Sequence, residues 1–125
     1  MINRLGDSLD FQSQALALRS ERQRLLAGNI ANADTPGYVA RDMDFAAALR
    51  EATGLAALPR SAGAAAEANL RYAAPSQTNL DGNSVDMDRE RASFADNSVK
   101  YEATLRFING HVRTMLDAMK SHQQG

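Results

Sequence analysis

Three groups of side chains have the types that perform chemistry, and each fails on spacing or company. The acidic run Asp81-Gly-Asn-Ser-Val-Asp-Met-Asp-Arg-Glu90 has enough carboxylates for a calcium site. A calcium loop, however, needs oxygen ligands at positions one, three and five and a glycine at six. Counted from Asp81, position five is Val85 and the glycine falls at two. The two histidines, His111 and His122, lie eleven residues apart and cannot share a metal along a straight helix. Arg19, Arg22 and Arg24 with Glu21 form a charged patch, but no aromatic platform for bases accompanies it. The patch reads as a solvated or ion-paired helix face. Cysteine is absent, which removes disulfides, thiolate metal sites and any redox reading of the compartment. No serine sits in a nucleophile motif and no Gly-rich phosphate loop occurs. The expectation is a non-enzyme with no cofactor, metal or small-molecule substrate. A net charge of −1 offers no field to draw nucleic acid or anionic lipid.

The acidic residues make better sense as a helix start. Asp81-Gly82 marks a turn, Asp86 is placed to cap, and Asp88 and Glu90 put negative charge in the first turn, where the dipole favours it. The helix that follows, over 86–122, has the clearest pattern in the chain. Phe94, Tyr101, Leu105, Ile108, Val112, Met115 and Met119 alternate at spacings of four and three with only Ser98 polar among them, a heptad seam. Such a helix is about 54 Å long at 1.5 Å per residue. Gly110 inside it costs about 1 kcal/mol relative to alanine. It reads either as a point of close helix approach or as tolerated drift. Lys120 and His122 suit the C-terminal turn.

A second long helix is expected over 5–33. Leu5, Leu9, Leu16, Leu26, Ile30 and Ala33 follow one stripe, interrupted by Gln12, Arg19 and Gln23, and Phe11, Ala15, Leu18 and Leu25 follow another. Two stripes imply either more than one partner surface or a single wide apolar face. Asn3 or Ser8 is placed to cap its start. The helix stops near Thr35, because the residue before a proline is steered away from the α region. Pro36-Gly37 fits the centre of a type II turn. Asn29, Asn32 and Asp34 can satisfy backbone groups left open at the helix end. After the turn, Asp44 caps a short helix from Phe45 to about Thr53, on which Phe45 and Leu49 share a face.

Residues 54–80 change character: nine alanines, Pro59, Pro75 and few large apolar side chains. Such a segment buries too little to offset its ordering entropy. It reads as a flexible, alanine-rich middle that orders only against a neighbour, with a short strand at Leu70-Arg-Tyr72. The fold class is therefore all-α, a single unit in which the two long helices pair as an antiparallel coiled-coil hairpin. A two-helix hairpin hides one stripe per helix. The remaining apolar positions then mark an interaction surface. Identical neighbours supplying that surface give a homopolymer, and a filament or tube if the repeat does not close.

The N-terminal residues lack the apolar core of a cleaved signal peptide, and no run of about 18 apolar residues exists to span a membrane. On the residues alone this reads as soluble and cytoplasmic. The stretch Asn29-Ile-Ala-Asn-Ala-Asp-Thr-Pro-Gly-Tyr38, continued by Ala40-Arg-Asp-Met-Asp-Phe45, changes that reading because it resembles the signature of bacterial flagellar rod and hook axial proteins. Asp81-to-Glu90 and Tyr101-Glu-Ala-Thr-Leu-Arg-Phe-Ile-Asn109 are similar to the elements that open and run through the C-terminal helix of its proximal rod members. Val39, where a basic residue is usual, and Arg91, where an apolar one is commoner, are departures. The resemblance implies a rod subunit of the flagellar basal body in the periplasm, exported through the type III gate without a cleaved signal. Implied partners are its own copies, other rod proteins, the adaptor protein FliE and the membrane ring base. Phe45 and Leu49 match the spacing of an export-gate recognition element; the plain alternative is a packing pair. The assembly interface is expected at Leu9, Leu16, Leu26, Ile30, Phe94, Tyr101, Leu105, Ile108, Val112, Met115 and Met119. The competing function is a cytoplasmic helical adaptor or secretion chaperone.

Overall fold

The computed structural model describes residues 2–54, 61–72 and 85–124. Helix α1 spans Ile2–Ala31 and ends four residues short of Thr35. It begins ahead of Asn3 and Ser8, so neither residue is its cap. The short strand β1 (Arg41–Met43) leads into helix α2 (Phe45–Ala52). Asp44 caps α2 as expected, its Oδ1 accepting from the Ala47 N–H at 3.2 Å. Helix α3 (Ala62–Ala68) is followed by strand β2 (Leu70–Tyr72), and helix α4 covers Met87–Gln124. Asp86 caps α4 by accepting from the Arg89 N–H.

The architecture is all-α in its bulk. Gln23 on α1 bonds Ser98 on α4, and Asn29 bonds Glu90. Numbers rise on one helix as they fall on the other, so the long helices run antiparallel. Added to the hairpin is a two-stranded antiparallel ribbon, with Arg41 opposite Tyr72 and Met43 opposite Leu70. The described part of the alanine-rich segment is ordered, and the neighbour that orders it lies in the same chain. Ser61 caps α3 through the Ala64 N–H, β2 pairs with β1, and Ala65 and Ala66 are buried. Residues 55–60 and 73–80 of that segment lie outside the described residues.

The core sits on one side of α1. Leu18 and Leu25 pack with Met43, Ala48, Ala65 and Ala66, with Phe45, Leu49 and Leu70 at the margin. Alanines on α2 and α3 let these short helices lie close to α1, so little volume is needed to fill the space. Both stripes of α1 are therefore used within the chain over its C-terminal part, while Leu5 and Phe11 near its start are exposed. Leu18 and Leu25 face the ribbon and short helices, while Leu26, 1% exposed, and the half-buried Leu9, Leu16 and Ile30 lie on the other stripe. Helix α4 has one covered face only.

Leu18 has no exposed surface, and Leu18→Ala is expected to cost about 2–5 kcal/mol through lost burial and a residual cavity. Val99, 69% exposed, serves as the control, with an expected change within about 0.5 kcal/mol for Val99→Ala. Urea unfolding followed by circular dichroism distinguishes the two; equal midpoints would remove Leu18 from the core.

Candidate assembly interface

The turn after α1 is built by its own side chains. Asn32 donates from Nδ2 to the Gly28 carbonyl at 2.8 Å, satisfying one of the carbonyls left open at the helix end. Its Oδ1 accepts from the Thr35 hydroxyl. The Tyr38 N–H closes on the Thr35 carbonyl at 3.2 Å, with Pro36-Gly37 between them. Gly37 has φ of +75°, the conformation that the third position of a type II turn requires and that only glycine adopts without strain. Asp34, Thr35, Pro36 and Gly37 are exposed.

Asn29 does not serve the helix end. It is 1% exposed and reaches across to the chain that returns from the turn. Its Oδ1 accepts the Arg41 N–H at 2.9 Å, and its Nδ2 donates to the Arg41 carbonyl at 2.7 Å. The side-chain amide thus stands in for the backbone of a neighbouring strand. Nδ2 also donates to Glu90 Oε2 at 2.9 Å, and the Tyr38 hydroxyl donates to Oδ1 at 3.3 Å. One amide joins α1, the turn, β1 and the first turn of α4. The reason it differs from Asn32 is burial: position 29 is where these elements converge, and a polar group enclosed there must be bonded.

The arginine patch divides among three environments. Arg24 pairs with Glu21 on the exposed face. Arg22 makes a two-pronged bond to Asp42 at 3.1 and 3.3 Å, tying α1 to β1. Arg19 is partly covered: its guanidinium lies 4.5 Å from the centre of the Phe45 ring. Burial pushes its pKa down from the usual value, Arg22 adds to this, and Asp96 opposes it. Phe45 and Leu49 are half-buried against the core. In the folded subunit both pack against the core, with Arg19 over the Phe45 ring.

Helix α4 presents two sides of different character. Toward α1 it turns Glu90, Asn97 and Thr104, all at most 8% exposed, and half-buried His111, each seven residues from the next. Phe94, Tyr101, Ile108 and Met115 are half-buried along one edge of this contact. The expected single seam is therefore split. Leu105 is half-buried, while Val112 and Met119, 42% and 60% exposed, lie off the contact and are joined by Leu116 at 53%. The physical reason is that the polar partners Gln23 and Asn29 on α1 draw the other row inward. Nearer the start of α4, an open groove lies between α1 and α4, lined by Ser20, Gln23, Ala27, Phe94, Ser98 and Tyr101. A Cβ at Gly110 would meet nothing within 4 Å, so among the described residues no helix makes the close approach that is one reading of that glycine.

Sequence periodicity missed Val99, Phe107 and Leu116 as exposed apolar positions, since they fall outside the alternating spacing. It also missed Asn97, whose burial has no apolar signal. Among the described residues no group of three or more acidic, histidine or cysteine side chains is placed to hold a metal, and no helix is long and apolar enough to cross a membrane.

A family model for flagella basal body rod proteins matches residues 9–38, most of α1 and the turn that follows it. The chain is 46% identical to the flagellar basal body rod protein FlgB of Escherichia coli, over 97% of this chain and 99% of that one. It is 47% identical to FlgB of Salmonella typhimurium, over 96% and 98%. Identity to FlgB of Cereibacter sphaeroides is 40%, over 91% and 94%. The chain belongs to the FlgB family, and is a structural, non-enzymatic subunit of the flagellar basal-body rod that assembles with other rod components.

Replacing Asn29 by alanine leaves the Arg41 amide and the Glu90 carboxylate without this partner. Asn29→Ala is expected to cost about 3 kcal/mol, and Gly37→Ala about 1 kcal/mol through its positive φ. Thermal unfolding of both variants tests the ranking; a larger loss for Gly37→Ala would make the turn, and not the amide, the anchor.

Proposed function

We propose that this chain is a proximal-rod subunit that leaves the cell interior through the flagellar type III gate without a cleaved signal and packs by the outer flank of α4 against other copies, rod proteins and FliE at the membrane ring base. The observation that carries this reading is the exposed row of Val112, Leu116 and Met119, 42%, 53% and 60% exposed. Apolar side chains aligned on one flank of a helix lose free energy in water and regain it against another helix. The groove at Phe94 and Tyr101 is a second open apolar place on the same helix. Leu9, Leu16, Leu26 and Ile30 act on the other side of the same contact by holding α1 against α4 so that the flank is displayed. Leu105, Ile108 and Met115 form its inner edge.

Phe45 and Leu49 take the export role while the chain is unfolded, before they pack beneath Arg19. The turn from Asn29 to Tyr38, with Asn32, Asp34, Thr35, Pro36 and Gly37, presents a rigid exposed corner at the hairpin end for contacts with neighbouring subunits. A cytoplasmic adaptor or secretion chaperone has no supporting observation.

Val112→Asp and Leu116→Asp place charges where apolar contact forms on assembly. Both variants are expected to be exported at normal levels and to be absent from purified basal bodies, with loss of motility. Normal motility in both would remove the α4 flank from the account. Phe45→Ala is expected to lower secretion several-fold at unchanged cellular level; unchanged secretion would leave Phe45 a packing residue alone.

A further inference from the structure

The contact between α1 and α4 is held by polar groups where apolar ones would fit. On α1 the heptad row Leu9, Leu16, Gln23 and Ile30 is interrupted at Gln23. Facing it, Asn97 on α4 is fully buried. Asn97 Nδ2 donates to the Arg19 carbonyl at 2.9 Å and to Gln23 Oε1 at 2.7 Å. Gln23 Nε2 donates to Ser98 Oγ at 2.6 Å, and the single proton of Ser98 goes to the Phe94 carbonyl. The direction of the chain is thereby set. Ser98 can only accept from Gln23, so Gln23 offers its oxygen to Asn97, and Asn97 must turn its amide nitrogen toward α1. Its Oδ1 is left buried with no donor among the described residues. A buried acceptor without a partner weakens the fold.

The second cross-helix rung, Asn29 to Glu90, lies one heptad away on α4. Both rungs form in one alignment of the helices only. Sliding α4 by a heptad toward the start of α1 puts Gln12 and Leu16 where Arg19 and Gln23 stand, so Leu16 replaces the side chain that receives Asn97. The apolar positions have no such selectivity, since leucines repeat along α1 and Phe94, Tyr101, Ile108 and Met115 repeat along α4. We infer that the Gln23–Asn97 pair is a register lock: it selects one alignment of the hairpin and does so at a cost in stability, as a polar residue in a coiled-coil seam does. The lock decides which α1 residues stand beside Phe94 and Tyr101, and so sets the shape of the groove whatever later fills it.

The test is the double replacement Gln23→Leu with Asn97→Leu, which completes the apolar row and removes the orphaned oxygen. Because the chain has no cysteine, cysteines introduced at exposed Ser20 and Glu102 carry a pair of spin labels without interference. The expected result has two parts. The thermal midpoint of the isolated subunit rises by about 3–6 °C, and the label-to-label distance, single in the parent, gains a second population displaced along the helix axis by about 10 Å, one heptad. A lower midpoint would overturn the stability cost. A raised midpoint with a single unchanged distance would overturn the lock. Neither outcome bears on whether the α4 flank enters the rod, which is read separately from basal-body incorporation.

Discussion

The bond set of one amide holds the described parts of this molecule together. Asn29 gives both of its polar atoms to the backbone of Arg41 and still reaches Glu90 and Tyr38. No other side chain type does this. Aspartate lacks the donor, and glutamine carries an extra methylene that moves the amide off the Arg41 backbone. The turn after α1, the ribbon and the start of α4 all take their positions from that group. The ribbon in turn sets α2 and α3 against Leu18 and Leu25.

The two long helices consequently have different duties. Beyond Phe11, helix α1 is covered on one stripe by the short helices and ribbon and on the other by α4. Helix α4 is covered on one face and presents Val112, Leu116 and Met119 to solvent. The two helices thus differ: α1 is the internal support, and α4 is the helix with an apolar flank open to solvent. The charged residues fit the same division. Arg22 and Arg19 on α1 are spent on Asp42 and on the face of Phe45. On α4, Lys100 pairs with Asp96 and Arg106 with Glu102 in exposed i,i+4 pairs, which contribute little to stability.

Much of this was legible in the residues. Helix starts were marked by Asp44 and Asp86 and the turn by Thr35-Pro36-Gly37, because capping and proline sterics act locally. The short strand at Leu70–Tyr72 and the two stripes of α1 were also readable. What periodicity could not give was rotation. Phe94, Leu105, Val112 and Met119 obey one heptad pattern, yet the helix turns toward Glu90, Asn97 and Thr104, because the partner helix offers Gln23 and Asn29 to bond them. A polar side chain selected by a distant polar side chain leaves no trace in local hydrophobicity. Arg19 was misplaced for a related reason: its burial comes from Phe45, brought over it only by the fold. The order within 61–72 came from α1, a contact that composition does not encode.

The separation of bonded partners along the chain carries a kinetic consequence. Asn29 meets Arg41 across 12 residues, whereas it meets Glu90 across 61 and Gln23 meets Ser98 across 75. Closing the longer loops costs more chain entropy and rewards it later. The first seventy or so residues can therefore condense on α1 as a nascent half-molecule, and α4 is the last piece to dock. By the same ranking it is the first to peel away, so the helix with the exposed apolar flank is also the one whose docking is lost while α1 and its ribbon stay folded.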